Sequence, residues 1–186
     1  MSVVPPTFDE LVAESDTVVR GTVTSVRAEE FDSPQGRGVR TLVTFRIERT
    51  LKSASSTPSA DTLTLSFLGG TVGQRTLRVV GMPTFSVGQR ELVFVARNGT
   101  VMCPLIGAGH GRYHVVTDAT TQREYLTREN LVPLTSTDEI ALPLATGAAA
   151  DLLARRVSSD QALTLAAFET RVLDAVSRTD SAVQRP

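Results

Sequence analysis

The sequence predicts a mainly β protein with flanking helices (β+α), and two patterns of apolar residues support this class. Before Pro133, apolar residues repeatedly occupy alternate positions, as they do in strands that bury one face. After Pro133 the apolar spacing lengthens to about 3.6 residues, which is typical of helices that bury one side. A chain of 186 residues, 41% of them hydrophobic, is long enough for one core but short for two. We therefore predict an N-terminal segment with a short helix at 1–15, a β domain at 16–134, and a linker with a helical appendage at 135–186.

Charge and composition argue against several classes of function. The formal net charge is −1 and the basic residues are scattered, so we expect no nucleic-acid partner and no anionic membrane surface. No apolar run approaches the roughly 20 residues that a membrane-spanning helix needs, so we expect no membrane span. Cys103 is the only cysteine, which excludes an internal disulfide framework. The arginine excess, with Lys52 as the only lysine, indicates a GC-rich microbial gene.

A short helix is predicted over Phe8–Glu14. Thr7 and Glu10 have the spacing of a capping box, in which the two side chains satisfy backbone amides at a helix start. The apolar residues of this segment lie at i, i+3 and i+4. The helix therefore has one apolar stripe, and we expect it to cover the β domain as a plug.

The longest hairpin is predicted between Asp16–Arg27 and Thr41–Lys52. In the second segment, Val43 and Phe45 alternate with polar residues, so one face of this strand is expected to be buried. The intervening Phe31–Gly38 contains a proline and two glycines. We predict a mobile loop there, longer than a tight turn, at the end of strands that project beyond the core.

Further strands are predicted along the chain after a solvated connection at Ser53–Ala60. They are Thr62–Phe67, Gln74–Val80, Glu91–Arg97, Thr100–Leu105, Arg112–Thr117 and Arg123–Thr127. Asn98-Gly99 predicts a type I′ turn between the third and fourth of these segments.

Two helical segments are predicted near the C-terminus. Gly147–Val157 is rich in alanine and leucine, and a second helix is expected to begin after an N-cap at Thr164. This second helix has an apolar stripe the width of one docking face, which could pack on the chain's own β domain or on a partner. The stripe consists of Leu165, Phe168, Val172 and Val176. Ser181–Pro186 is expected to fray.

Cys103, His110 and His114 form the only cluster of soft metal ligands. A metal site would need these side chains to converge with a fourth ligand, and a thiol nucleophile would need a histidine in contact with the sulfur. Their spacing matches neither signature, which favours one buried thiol and two ordinary histidines. We expect no cofactor, because the glycine-rich Gly107–Gly111 is followed by Arg112 and does not fit the dinucleotide-binding pattern.

Three segments carry a resemblance to a known family: Asp16–Val26, Val43–Lys52 and Phe85–Val95. Their strand patterning, with Gly21 in the first strand and Lys52 ending the second, resembles exported bacterial proteins with a netrin-like, or tissue-inhibitor-of-metalloproteinase-like, OB barrel. The resemblance covers about Phe8–Thr117. It implies a Greek-key barrel of five or six strands and a secreted or periplasmic protein. Within it, a glycine at position 21 would let a long first strand bend around a barrel corner.

The N-terminus differs from that of the animal inhibitors in this family. Those proteins chelate the protease zinc through an N-terminal cysteine held by disulfides, whereas the first residues here are Ser2, Val3 and Val4. Their mechanism is therefore not expected for this chain. We interpret Met1 as an added start residue on a trimmed mature terminus, which leaves room for a removed signal peptide.

The leading hypothesis is a non-enzymatic, exported binding module, and the resemblance suggests a secreted protease or another envelope protein as its partner. Candidate partner-binding residues are Phe31, Arg37, Arg40, Leu165, Phe168 and Val172. One alternative is a hydrolase or metal-binding protein centred on Cys103, His110 and His114. Another is a structural subunit that self-associates through the C-terminal stripe. Binding of oligosaccharides or single strands ranks last, because aromatic residues make up 5% of the chain and tryptophan is absent.

Overall fold

The computed structural model describes residues 4–34, 36–53 and 61–183, and it shows a mainly β fold with helices near both ends. The helices are α1 (Phe8–Glu14), α2 (Ala148–Arg156) and α3 (Leu165–Val183). The strands are β1 (Thr17–Ser33), β2 (Gly36–Ser53), β3 (Thr62–Leu68), β4 (Gly70–Val72), β5 (Arg75–Leu77), β6 (Arg90–Val95), β7 (Arg112–Thr117) and β8 (Glu124–Arg128). Short 3-10 helices cover Ala108–Gly111 and Thr137–Ala141.

Six strands form one antiparallel sheet in the order β3-β2-β1-β6-β7-β8, and β4 pairs with β5 in a separate ribbon. Over the described residues no strand pairing joins β3 to β8, so the sheet is open and is not closed into a barrel. The predicted class, mainly β with flanking helices, is confirmed at this level. In the same described part of the chain, no helix has the length and apolar character that a membrane span requires.

The β1–β2 hairpin pairs along its whole length, from Thr17 with Ser53 to Ser33 with Gly36. Three register shifts interrupt this ladder, and such irregularities bend and twist a strand. Gly21 lies at one of them, where an added Cβ would come within 2.6 Å of the Arg46 carbonyl oxygen. A glycine is therefore required by the close approach of the two backbones.

The helix over Phe8–Glu14 is confirmed, and both halves of its capping box are present between Thr7 and Glu10. The prediction of a mobile loop over Phe31–Gly38 is wrong, because β1 and β2 continue through most of this segment. Gly38 does not form a turn but makes room for the Phe31 ring, because a Cβ at this position would lie 2.6 Å from the ring.

Two other predicted strands differ in the structure. Gln74–Val80 is reduced to the three residues of β5, and Thr100–Leu105 contains only an isolated bridge between Leu105 and Val95. The Asn98-Gly99 turn is not of type I′, because Arg97 and Gly99, not Asn98, have positive φ angles. Of the predicted connection Ser53–Ala60, Ser53 belongs to β2 and the remainder lies outside the described residues.

The Asn98 side chain instead covers the outer edge of β3. Its Nδ2 donates to the Thr64 carbonyl over 2.8 Å, and its Oδ1 accepts from the Ser66 amide over 3.0 Å. Further along the same edge, the Leu68 amide donates to the Met102 carbonyl over 2.8 Å. These bonds partly satisfy backbone groups that an edge strand would otherwise leave open.

The sheet has a hydrophobic cluster on each face, because neighbouring residues of β6 point in opposite directions. Leu92 and Phe94 belong to a cluster that includes buried residues of α1 and α3. Val93 and Val95 belong to a second cluster, formed with residues of β1, β2 and β3. The N- and C-terminal helices therefore cover the first face together.

The apolar stripe of α3 is part of the chain's own core. Phe168 is fully buried, and its ring lies 5.7 Å from that of Phe8, 5.2 Å from that of Tyr113 and 6.2 Å from that of Phe94. The other two candidate partner-binding residues of the stripe, Leu165 and Val172, are buried as well. The sheet of the same chain covers these three residues, so they are not exposed to a partner in this structure. Of the predicted frayed end, residues 184–186 are not described and α3 continues to Val183.

A buried carboxylate fastens α3 to the sheet. Glu169 is 2% exposed and accepts from Arg20 Nη1 over 2.7 Å and from Arg49 Nη1 over 2.6 Å. Arg20 also donates to Glu48, which accepts two further bonds from Arg90. The hydrogen bonds from Arg90, with further contributions from Thr22 and Arg20, hold the pKa of Glu48 at about 2.

Replacing Phe168 with alanine should lower the free energy of unfolding by about 3–5 kcal/mol, because it removes a ring packed against three others. Denaturant titration would measure the loss. The matched control is Leu152→Ala on the exposed side of α2, where we expect a change below about 0.5 kcal/mol. Equal stability of the two variants would contradict the assignment of the α3 stripe to the core.

Acidification should weaken the fold through Glu48. Its folded-state pKa of about 2 lies below its ordinary value of 4.5, so its stabilising contribution is present above pH 4.5 and is lost as the pH falls toward 2. Glu48→Gln should therefore flatten the dependence of unfolding free energy on pH in that window. The exposed Glu14, changed to glutamine, is the control, and an equal effect of both variants would count against the Glu48 network.

Candidate functional site

Cys103, His110 and His114 lie in different surroundings. His114, on β7, places Nδ1 3.1 Å from Glu91 Oε1. His110 is buried in the 3-10 turn before β7, and its pKa is lowered by burial and by the nearby charge of Arg128. Cys103 packs against the second hydrophobic cluster, where burial raises the pKa of its thiol. That shift opposes formation of the thiolate that a nucleophile requires.

The arrangement therefore gives little support to the hydrolase or metal-binding hypothesis. Within the described ranges, no three His, Cys, Asp or Glu side chains are grouped so that they could hold a metal ion. His114 is instead held by a carboxylate that the sequence analysis did not single out.

This carboxylate belongs to a buried ionic cluster, which we call the Glu91 cluster and which comprises Glu91, Arg112, His114 and Glu129. Glu91 and Arg112 are almost completely buried. Arg112 donates from Nη2 and Nε to the two oxygens of Glu91, over 2.8 and 3.2 Å. Its Nη1 lies 3.1 Å from Glu129 Oε2. Burial raises the pKa of Glu129, while Arg112 and His114 oppose that rise.

The Glu91 cluster also holds the segment before β6 over the sheet. Arg112 Nη1 donates to the Thr84 carbonyl over 2.8 Å, and the guanidinium lies 4.0 Å from the centre of the Phe85 ring. Phe85 contacts Phe45 and Phe67 in the second hydrophobic cluster. Arg112 and the buried Glu91 therefore link β6, β7 and the segment before β6.

The sequence does contain a signal for this cluster. Glu91 directly precedes the apolar Leu92–Val95 in the central strand β6, and Arg112 begins β7 next to it. Charged residues are seldom fully buried unless they are paired. A charged residue in each of two neighbouring buried strands therefore indicates an ion pair.

The exposed candidate surface lies at the far end of the β1–β2 hairpin. β1 pairs with β6 from Thr17 to Thr22, and the Val23 amide still bonds to the Gln89 carbonyl. Beyond Val23, β1 pairs with β2 alone over the described residues. We call the part of the hairpin formed by Thr24–Ser33 and Gly36–Thr44 the arm. From Ser25 its two strands pair without a further register shift, and beyond Arg40 toward the turn neither strand pairs with a third strand over the described residues.

One side of the arm carries a groove of about 480 Å³, which we call the arm groove. It brings together Phe31, Arg37 and Arg40 with Met102, and Met102 is half exposed. The Arg40 guanidinium lies 5.4 Å from the centre of the Phe31 ring and donates to Glu29 over 2.6 Å. The three arm residues predicted from the sequence therefore share one groove. Their role in binding stays a prediction.

The opposite side of the arm borders a second groove, of about 690 Å³, between β2, the β4–β5 ribbon and the segment before β6. Its walls are mainly apolar and include Val26, Val80 and Met82. Val80 is 89% exposed. Both sides of the arm thus have accessible concave surface.

Comparison with known proteins assigns no family or function to the chain. No protein-family model matches the chain, and no curated protein matches it.

Changing Arg112 to methionine should lower the free energy of unfolding by about 3–5 kcal/mol, because it leaves the fully buried Glu91 without its main partner. Chemical denaturation would measure this loss. The double variant Glu91→Leu with Arg112→Met should recover most of it, because the unpaired charge is then absent. If Arg112→Met were as stable as the unaltered protein, the structural role of the Glu91 cluster would be wrong.

Proposed function

We infer that this chain is a non-enzymatic, exported binding module that contacts a protein partner through the arm groove. The observation that carries the proposal is the meeting of Phe31, Arg37 and Arg40 in one exposed groove on a projecting, regularly paired hairpin. A surface of this kind presents side chains to a partner without a large rearrangement of the backbone.

The chemistry of the groove suits a protein partner. Aromatic residues, methionine and arginine are enriched at the centres of protein interfaces, and the groove contains all three. Phe31 is held against Gly38 and beneath the Arg40 guanidinium, so little side-chain freedom would be lost on binding. The Arg37 side chain is two-thirds exposed and can reach an acidic group on the partner.

The class of partner and the exported location rest on the netrin-like resemblance of Phe8–Thr117. That resemblance suggests a secreted protease or another envelope protein. An OB-like fold is part of this proposal. It is supported by the hydrogen bonds of Asn98 and Met102, which place the segment after β6 along the outer edge of β3. The N-terminal zinc-chelating mechanism of the animal inhibitors is not part of it.

The test is a capture experiment with the purified chain on a solid support, using the culture supernatant and envelope fraction of the host and identification by mass spectrometry. Arg37→Glu should lower recovery of a specific partner at least tenfold, because it reverses an exposed charge of the arm groove. Phe31→Ala should have a similar effect by removing the aromatic contact.

Arg155→Glu on α2 is the matched control, since it makes the same charge change at an exposed position away from the arm. It should leave recovery unchanged. The proposal is contradicted if the arm variants and the control bind the same proteins equally. If the partner is a protease, inhibition of its activity by the unaltered chain but not by Arg37→Glu would identify the arm groove as the inhibitory surface.

A further inference from the structure

The arm has an open strand edge that the proposed partner site does not use. The outer edges of the six-stranded sheet are at least partly covered: Asn98 and Met102 bond to β3, while the backbone of β8 bonds to Leu134 and Leu163. Over the described residues, by contrast, the Thr24–Ser33 part of β1 pairs only with β2. One side of this strand therefore presents backbone groups that another strand can pair with.

Charges commonly protect an open edge from unwanted pairing, and the arm has several. On the open edge strand they are Arg27, Glu29, Glu30 and Asp32. Two of opposite sign, Arg27 and Glu29, lie on the same face of β1, two positions apart. Arg27 Nη1 donates to Glu29 Oε2 over 2.7 Å within the chain, and its side chain is 61% exposed. A second strand that carries the opposite order of charges would fit this edge.

A second copy of β1, running antiparallel, presents that opposite order. When Ala28 lies opposite Ala28 of the second copy, Arg27 of each chain faces Glu29 of the other. In every allowed register, residues opposite each other must have their side chains on the same face of the sheet. The nearest alternatives to the Ala28-centred register are therefore shifted by two residues. One of the two nearest alternatives pairs Arg27 with Arg27, and the other pairs Glu29 with Glu29. Charge therefore selects the Ala28-centred register.

We propose that the arm is a self-association edge, through which two copies of this chain join antiparallel along β1 with Ala28 at the two-fold axis. The contact extends the sheet of one copy into that of the other. It uses the edge of β1, whereas the arm groove lies on one side of the hairpin, so the two proposals can fail independently. The partner is a second copy rather than an unrelated peptide because the charge pattern complements itself.

The oligomeric state is the first test, measured by sedimentation equilibrium over a range of concentrations. The unaltered chain should form a dimer. Arg27→Glu should weaken dimerisation at least tenfold, because both cross-chain ion pairs become contacts between like charges. Arg155→Glu is the control with the same charge change and should dimerise normally. A monomer at every concentration would overturn the proposal.

Mixing two charge variants gives a sharper test. Arg27→Glu has two acidic residues at these positions, and Glu29→Arg has two basic ones, so each should be monomeric alone and the mixture should form heterodimers. Because Glu29→Arg also removes the partner of Arg40, its circular dichroism spectrum and melting temperature are compared with those of the unaltered chain. A mixture of two folded variants that stays monomeric would count against the register.

Disulfide trapping tests the register without charge changes. In a Cys103→Ser background, Ala28→Cys should form an intermolecular disulfide, because directly opposite Cα atoms lie about 4.5–5.5 Å apart. Val26→Cys is the control on the same strand and face: the two copies of this residue would be roughly 13 Å apart, too far for a disulfide. Equal cross-linking at both positions would overturn the proposed contact.

Discussion

The fold depends on β1, because this strand joins the two halves of the sheet. It pairs with β2 along its whole length and with β6 over its first residues, so the hydrophobic clusters on both faces are assembled around it. The close backbone approach at Gly21 is a condition for this double pairing. Beyond Val23 the strand is free of β6, and the same hairpin that builds the core becomes the projecting arm. Stability and the proposed binding surface are thus consequences of one long ladder.

Each face of the sheet is fastened by one buried carboxylate. On the helical face, Glu169 accepts from two arginines of β1 and β2 and fixes α3. On the other face, Glu91 accepts from Arg112, whose remaining contacts hold the Thr84 and Phe85 segment in place. Buried charges of this kind are costly unless they are paired, and so they define where the covering segments can pack. The arm has only exposed or half-exposed ion pairs by comparison, which leaves its surface accessible.

Local patterns in the sequence predicted the elements whose cause is local. The capping box indicated the start of α1, and alternating apolar residues identified β2 and β3. The paired strands within Phe31–Gly38 were not predicted. The sequence does not distinguish a glycine that makes room for an aromatic ring on the opposite strand from a glycine that forms a turn. The apolar stripe around Phe168 was visible in the sequence, but a pattern does not specify whether the chain's own sheet or a partner covers it. The Glu91 cluster was missed because it depends on side-chain contacts between two paired strands, β6 and β7, although the charged residues in these strands were visible.

The central claim is that the arm, and not the face covered by α3, is the binding surface. Amide hydrogen exchange, measured by mass spectrometry with and without a captured partner, tests it most directly. The account predicts slower exchange in peptides covering Phe31–Arg40 and Gly99–Met102, with α3 and β8 unchanged. Protection confined to α3 or to the Gly107–His114 region, with no change in the arm, would contradict it.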